Sequence, residues 1–124
     1  MDDVKVNDYE RLYKNYVSKE KKRGIPEDNL GVDIEDVYIL VREVFEWTCA
    51  ISDKKYYNLE LVRWNPKKKP SIRNLVLMSE AQAKIHDEYA DIIGKYDNEA
   101  TKKIDEKFHK LEEVLSKKSP SYQF

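Results

Sequence analysis

The chain has 124 residues, 23 Lys and Arg against 24 Asp and Glu for a net charge of −1, and 40% hydrophobic residues with only 3 Gly and 4 Pro. One domain of this length buries roughly two thirds of its unfolded surface. The composition excludes a disordered chain and a many-stranded sandwich, and the balanced charge excludes a general polyanion binder.

Asn7 or Asp8 starts a first helix whose buried stripe is Tyr9, Leu12, Tyr13, Tyr16 and Val17, at three- and four-residue spacings; Gly24 and Pro26 end it. Tyrosine suits a half-wet surface, so this helix is expected at the rim of the core, with Tyr9, Tyr13 and Tyr16 as a candidate partner-binding face. After the loop EDNLGVD, Asp33 caps a second helix with Glu35 and Asp36 in its first turn. Ile34, Val37, Tyr38, Val41, Val44, Phe45, Thr48 and Ile51 form its stripe, and Leu40 and Trp47 widen it, so this helix is expected at the centre. Cys49 sits in the apolar run FEWTCAI and reads as a buried, inert thiol.

KKYYNLELVRW fits a helix face through Tyr57, Leu61 and Trp64 and a strand through Tyr57, Leu59 and Leu61. Helix is preferred, because an isolated strand has no evident partner elsewhere in the chain. Ser71 then caps a third helix carrying Leu75, Met78, Ile85, Tyr89, Ile92 and Tyr96 in a seven-residue repeat, with Gln82 as its polar member. Gly94, Asp97 and Asn98 interrupt the repeat, and Ala100, Ile104, Phe108, Leu111 and Leu115 return in a different phase. An antiparallel hairpin of 72–95 on 98–117 is expected, with one long helix as the alternative. Pro120 stops the last helix, leaving 118–124 as a flexible tail after a single domain of 1–117.

Charge is polarised along the chain. From Gly24 to Asp53 there are eight acidic residues against one basic, and from Lys54 to Leu75 seven basic against one acidic. RWNPKKKPSIRNL concentrates Arg63, Lys67, Lys68, Lys69 and Arg73 around Trp64. Pro66 and Pro70 stiffen this connection, so the lysines are expected to project from a loop. They suit electrostatic docking to a protein, or phosphate contacts with Trp64 stacking on a base. Glu27, Asp28, Asp33, Glu35 and Asp36 form the complementary acidic surface, which also fits head-to-tail pairing in a homodimer.

Glu43 with Glu46 and Glu88 with Asp91 place paired carboxylates three residues apart on one helix face. The pattern resembles that of the all-α nucleoside triphosphate pyrophosphohydrolases, with a longer gap between the pairs and without the doubled glutamate before the first. The resemblance implies a magnesium-dependent enzyme; the plainer reading is solvated helix faces in a chain that is 38% charged. His86 and His109 are the two histidines, and with one cysteine they do not make an ordinary transition-metal site. No nucleophile turn is present, and the glycines at 24, 31 and 94 are too scattered to cradle phosphate.

The sequence therefore predicts an all-α single domain of four to five helices, an antiparallel bundle, with no enzymatic role, cofactor or metal. Its expected function is a small interaction module, a regulator, adaptor or inhibitor of the kind found in mobile elements and viruses, docking on another protein. A nucleic-acid binder using loop 63–73 is the first alternative and the pyrophosphohydrolase the second. The start MDDVKVNDYE is unlike a signal peptide and no apolar run reaches bilayer length, so a cytoplasmic setting (host cytoplasm for a viral protein) without membrane contact is expected.

Overall fold

The tyrosine and leucine spacing of the first segment is realised as α1 (Val6–Lys22), which buries Tyr9, Leu12 and Tyr16. The structure is a computed structural model that describes residues 6–52, 54–55 and 58–117; the expected tail 118–124 and Tyr57 lie outside them. Gly24 ends α1 with φ +90°, a conformation that disfavours residues with a Cβ. Its N–H bonds to Lys21 O (3.0 Å) and that of Ile25 to Glu20 O (2.9 Å), the paired closure of a Schellman motif.

Asp33 caps α2 (Ile34–Tyr38) through a reciprocal box: Asp36 N donates to Asp33 Oδ1 (3.0 Å) and Asp33 N to Asp36 Oδ2 (3.1 Å). The chain then loosens into a π-helical segment, Ile39–Val44, closed by Phe45 N to Leu40 O at 2.8 Å. Glu46 and Trp47 follow with φ of +52° and +62°, a left-handed turn made without glycine. Two anchors hold it: the Trp47 ring lies 5.1 Å from Tyr9, and the Lys110 ammonium meets Glu46 at 2.8 Å.

The all-α bundle is corrected at this point. β1 (Leu59–Arg63) and β2 (Leu75–Ser79) pair antiparallel, Leu59 opposite Ser79 and Arg63 opposite Leu75, so the fold is mixed α/β, with four α-helices and a two-stranded sheet among the described residues. The strand at 59–63 finds its partner in Leu75–Ser79, a segment whose spacing the sequence assigns to the start of the third helix. That strand is buried at every position, so it shows no alternation, and a short apolar run then fits either period. The third helix is correspondingly short: α3 (Glu80–Asp87) is capped by Ser79, which accepts from Gln82 N at 3.2 Å, and Ser71 precedes only a 3-10 turn, Ile72–Asn74, to which its side chain makes no cap bond. Ile85 is 49% exposed, away from the seam proposed for it. Residues 88–97 form turns, and α4 (Asn98–Ser116), capped by Asp97, buries Ala100, Ile104, Leu111 and Leu115 as its spacing predicts.

The core sits where these elements meet. α1 and α3 both pack on β1, α3 and the π segment touch β2, and α4 lies along the π segment. No helix among the described residues is long and apolar enough to cross a membrane.

A Cβ at position 24 would meet no atom within 4 Å, so replacement there tests the backbone alone. Gly24→Ala is expected to lower unfolding stability by about 1–2 kcal/mol, read from the urea midpoint. An unchanged midpoint would show that the left-handed closure of α1 does not matter.

Candidate functional site

A fully buried carboxylate organises one side of the molecule. Glu20, in the last turn of α1, has no exposed surface, and Arg63 at the end of β1 grips it with Nε to Oε2 at 2.7 Å and Nη2 to Oε1 at 2.5 Å. This fork of parallel bonds is the geometry in which arginine binds carboxylate most strongly. Burial alone would raise the Glu20 pKa, but the bonds from Arg63 outweigh it and hold the carboxyl below its ordinary value. Arg23 adds a longer contact to Glu20 (3.4 Å) and reaches Asp87 (3.2 Å), which Lys19 meets at 2.7 Å; Lys19 also meets Glu60 at 3.3 Å. Three cations and three carboxylates from α1 and its end, β1 and α3 thus form one connected chain of ion pairs.

Arg63 extends this network into the basic loop. Its Nη1 donates to Lys68 O (3.2 Å) and Pro66 O (3.4 Å). Asn74, 6% exposed, completes the loop from the 3-10 turn just before β2: Oδ1 accepts from Asn65 N (2.9 Å), and Nδ2 donates to Asn65 O (3.0 Å) and Lys69 O (3.2 Å). Asn65 also accepts from Lys67 N (3.0 Å). The loop's carbonyls are turned inward onto two fixed donors, and the side chains of Lys67, Lys68 and Lys69 are exposed. Lys67 meets Asp91 at 2.9 Å with 65% of its side chain exposed, and exposed pairs of this kind contribute little stability.

Beside the loop stands an aromatic cluster around His86, which is 2% exposed. His86 Nε2 lies 2.8 Å from Arg63 O and 3.0 Å from Trp64 O, so this nitrogen carries the hydrogen and Nδ1 accepts from Tyr96 Oη at 2.6 Å. Burial lowers the His86 pKa against the pull of those carbonyls and favours the neutral ring. Burial likewise pushes Tyr96 up to about 12, keeping its hydroxyl a donor. Trp64 stacks on His86 (5.4 Å, 14°) and packs on Tyr96 (5.2 Å). Between loop and helices opens a cleft of about 180 Å³ lined by Arg23, Arg63, Pro66, His86, Asp87 and Tyr89.

The residues singled out in the sequence fall into three groups. Lys67, Lys68 and Lys69 project to solvent, while Arg63 is turned inward to Glu20 and Trp64 is half-buried on the histidine. Arg73 leaves the loop and pairs with Glu112 of α4 through Nε at 2.7 Å. Of the acidic block, Glu27, Asp28, Asp33 and Glu35 are exposed and Asp36 is buried in its cap; Glu27 accepts from Tyr13 Oη at 2.9 Å. Of the tyrosine face, Tyr9 and Tyr16 are core residues and only Tyr13 reaches the surface. Among the described residues no three His, Cys, Asp or Glu side chains come together to hold a metal. Glu46 and Asp91 are instead paired with Lys110 and Lys67.

Three organising residues, Glu20, Asn74 and His86, carried no site signal in the sequence. Glu20 lies in KEKKR, which reads as a solvated helix face, and its burial depends on β1 arriving opposite it. The two flanking prolines were the one clue that the loop is held.

No family model matches the sequence. Over 110 residues the chain is 27% identical to tRNA threonylcarbamoyladenosine dehydratase 2 of Saccharomyces cerevisiae, an alignment covering 84% of this chain and 24% of that protein. The chain thus spans about a quarter of the length of the curated relative it matches.

The buried neutral His86 fixes a pH response. The unfolded chain takes up a proton at the ordinary value of 6.5, which the folded chain resists, so stability falls as pH drops below that value. The urea midpoint is expected to decline between about pH 7 and 5.5, and His86→Gln to flatten that decline. A midpoint in the native chain that is constant over the interval would contradict a neutral, buried His86.

Proposed function

We propose that this chain is a non-catalytic RNA-docking module that serves a tRNA-modifying activity and acts in the cytosol. The observation that carries the reading is the basic loop: its carbonyls are pinned inward by Arg63 and Asn74 while three consecutive lysines face solvent. A loop fixed before binding loses little conformational entropy when it meets phosphates, and each lysine that neutralises one releases a counterion. The exposed Lys21, Lys22 and Arg23 at the end of α1 widen the basic surface, because Arg23 lines the same cleft as Pro66 of the loop. The name of the yeast relative adds a second, independent support, since it specifies tRNA.

Two of the side chains capable of chemistry lie in the core. Both ring nitrogens of His86 are hydrogen-bonded inside the core, and Cys49 is a free but buried thiol, as suits a cytosolic protein. A protein partner has less to hold than the charge pattern suggested, because Asp36 is buried and Tyr9 and Tyr16 belong to the core.

Fluorescence anisotropy with a labelled tRNA, run over a series of salt concentrations, tests the reading. The native chain is expected to bind with an affinity that falls steeply with salt. Replacing Lys67, Lys68 and Lys69 together by alanine is expected to make the log–log slope shallower by about 2 to 3. A native chain that fails to bind, or a triple variant that binds as the parent does, would end the proposal.

A further inference from the structure

The cleft beside the loop is built for something other than phosphate. It is too small for a whole cofactor, since about 180 Å³ lies below the roughly 300–1,000 Å³ of ordinary ligand pockets. Its charges are also already balanced: Arg23 and Arg63 line it, but Asp87 lines it with them and the buried Glu20 is bound to both arginines. A second cluster of phosphate oxygens gains little from guanidinium groups so occupied, whereas a neutral planar group needs no counter-charge.

An aromatic side chain that lines the same cleft supplies what such a group requires. Tyr89 is half-buried and stands edge-on to both His86 and Tyr96, each with ring centroids 6.0 Å away. The Lys95 ammonium lies over the ring at 5.4 Å from its centroid. These neighbours fix the plane of the tyrosine, and Pro66 bounds the cleft from the side of the lysine loop. A fixed aromatic ring next to a basic rail is the arrangement by which single-stranded nucleic acid is held: phosphates on the charges, a base on the ring.

Resting on the RNA-docking reading above, we infer that the cleft accepts one unpaired nucleobase, stacked on Tyr89, while the neighbouring phosphates run along Lys67, Lys68 and Lys69. The module therefore selects RNA with an unstacked, looped-out nucleotide over continuous duplex.

The test compares two RNA probes of equal phosphate number, a stem-loop with an unpaired loop and a blunt duplex, by anisotropy at one salt concentration. The native chain is expected to prefer the stem-loop by about tenfold. Tyr89→Ala is expected to bring the stem-loop down to the duplex affinity, and Tyr89→Phe to keep the preference. Equal binding of both probes by the native chain, or a preference that survives Tyr89→Ala, overturns the inference while leaving RNA docking in place. Failure to bind either probe removes both.

A second readout needs no substitution. A stem-loop carrying 5-iodouridine in its loop, crosslinked by light to the native chain and digested with trypsin, is expected to tag the peptide 85–95, whose one tyrosine is Tyr89. Crosslinks confined to other peptides overturn the inference.

Discussion

The buried pair of Glu20 and Arg63 is the constraint around which this side of the molecule is arranged. A carboxylate with no exposed surface costs several kcal/mol unless a partner meets it with good geometry, and breaking such a pair costs about 3–5 kcal/mol. The pair therefore fixes where α1 crosses β1, and with it the position of everything that Arg63 touches next. One end of the guanidinium holds Glu20 while the other holds the carbonyls of Pro66 and Lys68. The helix, the strand and the basic loop are thus coupled through a single side chain.

This coupling explains why a loop of three consecutive lysines can be ordered despite their mutual repulsion. Asn74 satisfies the backbone from the turn that leads into β2, Arg63 does so from β1, and the prolines limit the remaining freedom. The same strand end presents the Arg63 and Trp64 carbonyls to His86, so the aromatic cluster and its cleft are placed by the same residues as the lysines. A basic rail and an aromatic wall side by side follow from one junction between α1, β1 and α3.

Much of the helical content was legible in the sequence, because the stripes of α1 and α4 and the cap at Asp33 follow local rules that act within a few residues. The sheet was not, since Leu75–Ser79 is buried on both faces and its apolar run carries no period to distinguish strand from helix. The left-handed Glu46 and Trp47 were equally hidden, as neither is a residue that signals such a turn and both are held by distant partners, Lys110 and Tyr9. The lysines were found by composition alone. What makes them a site, the inward carbonyls and the buried Glu20, depends on pairings 43 residues apart for Glu20 and Arg63 and 9 apart for Asn65 and Asn74, which no local pattern records.

The most direct test of this account is amide hydrogen exchange in Glu20→Gln, which keeps the shape of the side chain and removes its charge. The account predicts that protection falls at Asn65 and Lys68, whose N–H groups are bonded within the loop, while the amides of α4 keep theirs. It also predicts that tRNA affinity drops together with the loop's protection. A loop that remains as protected as in the native chain, with α4 intact, would show that the Glu20–Arg63 pair does not hold it and would contradict the account.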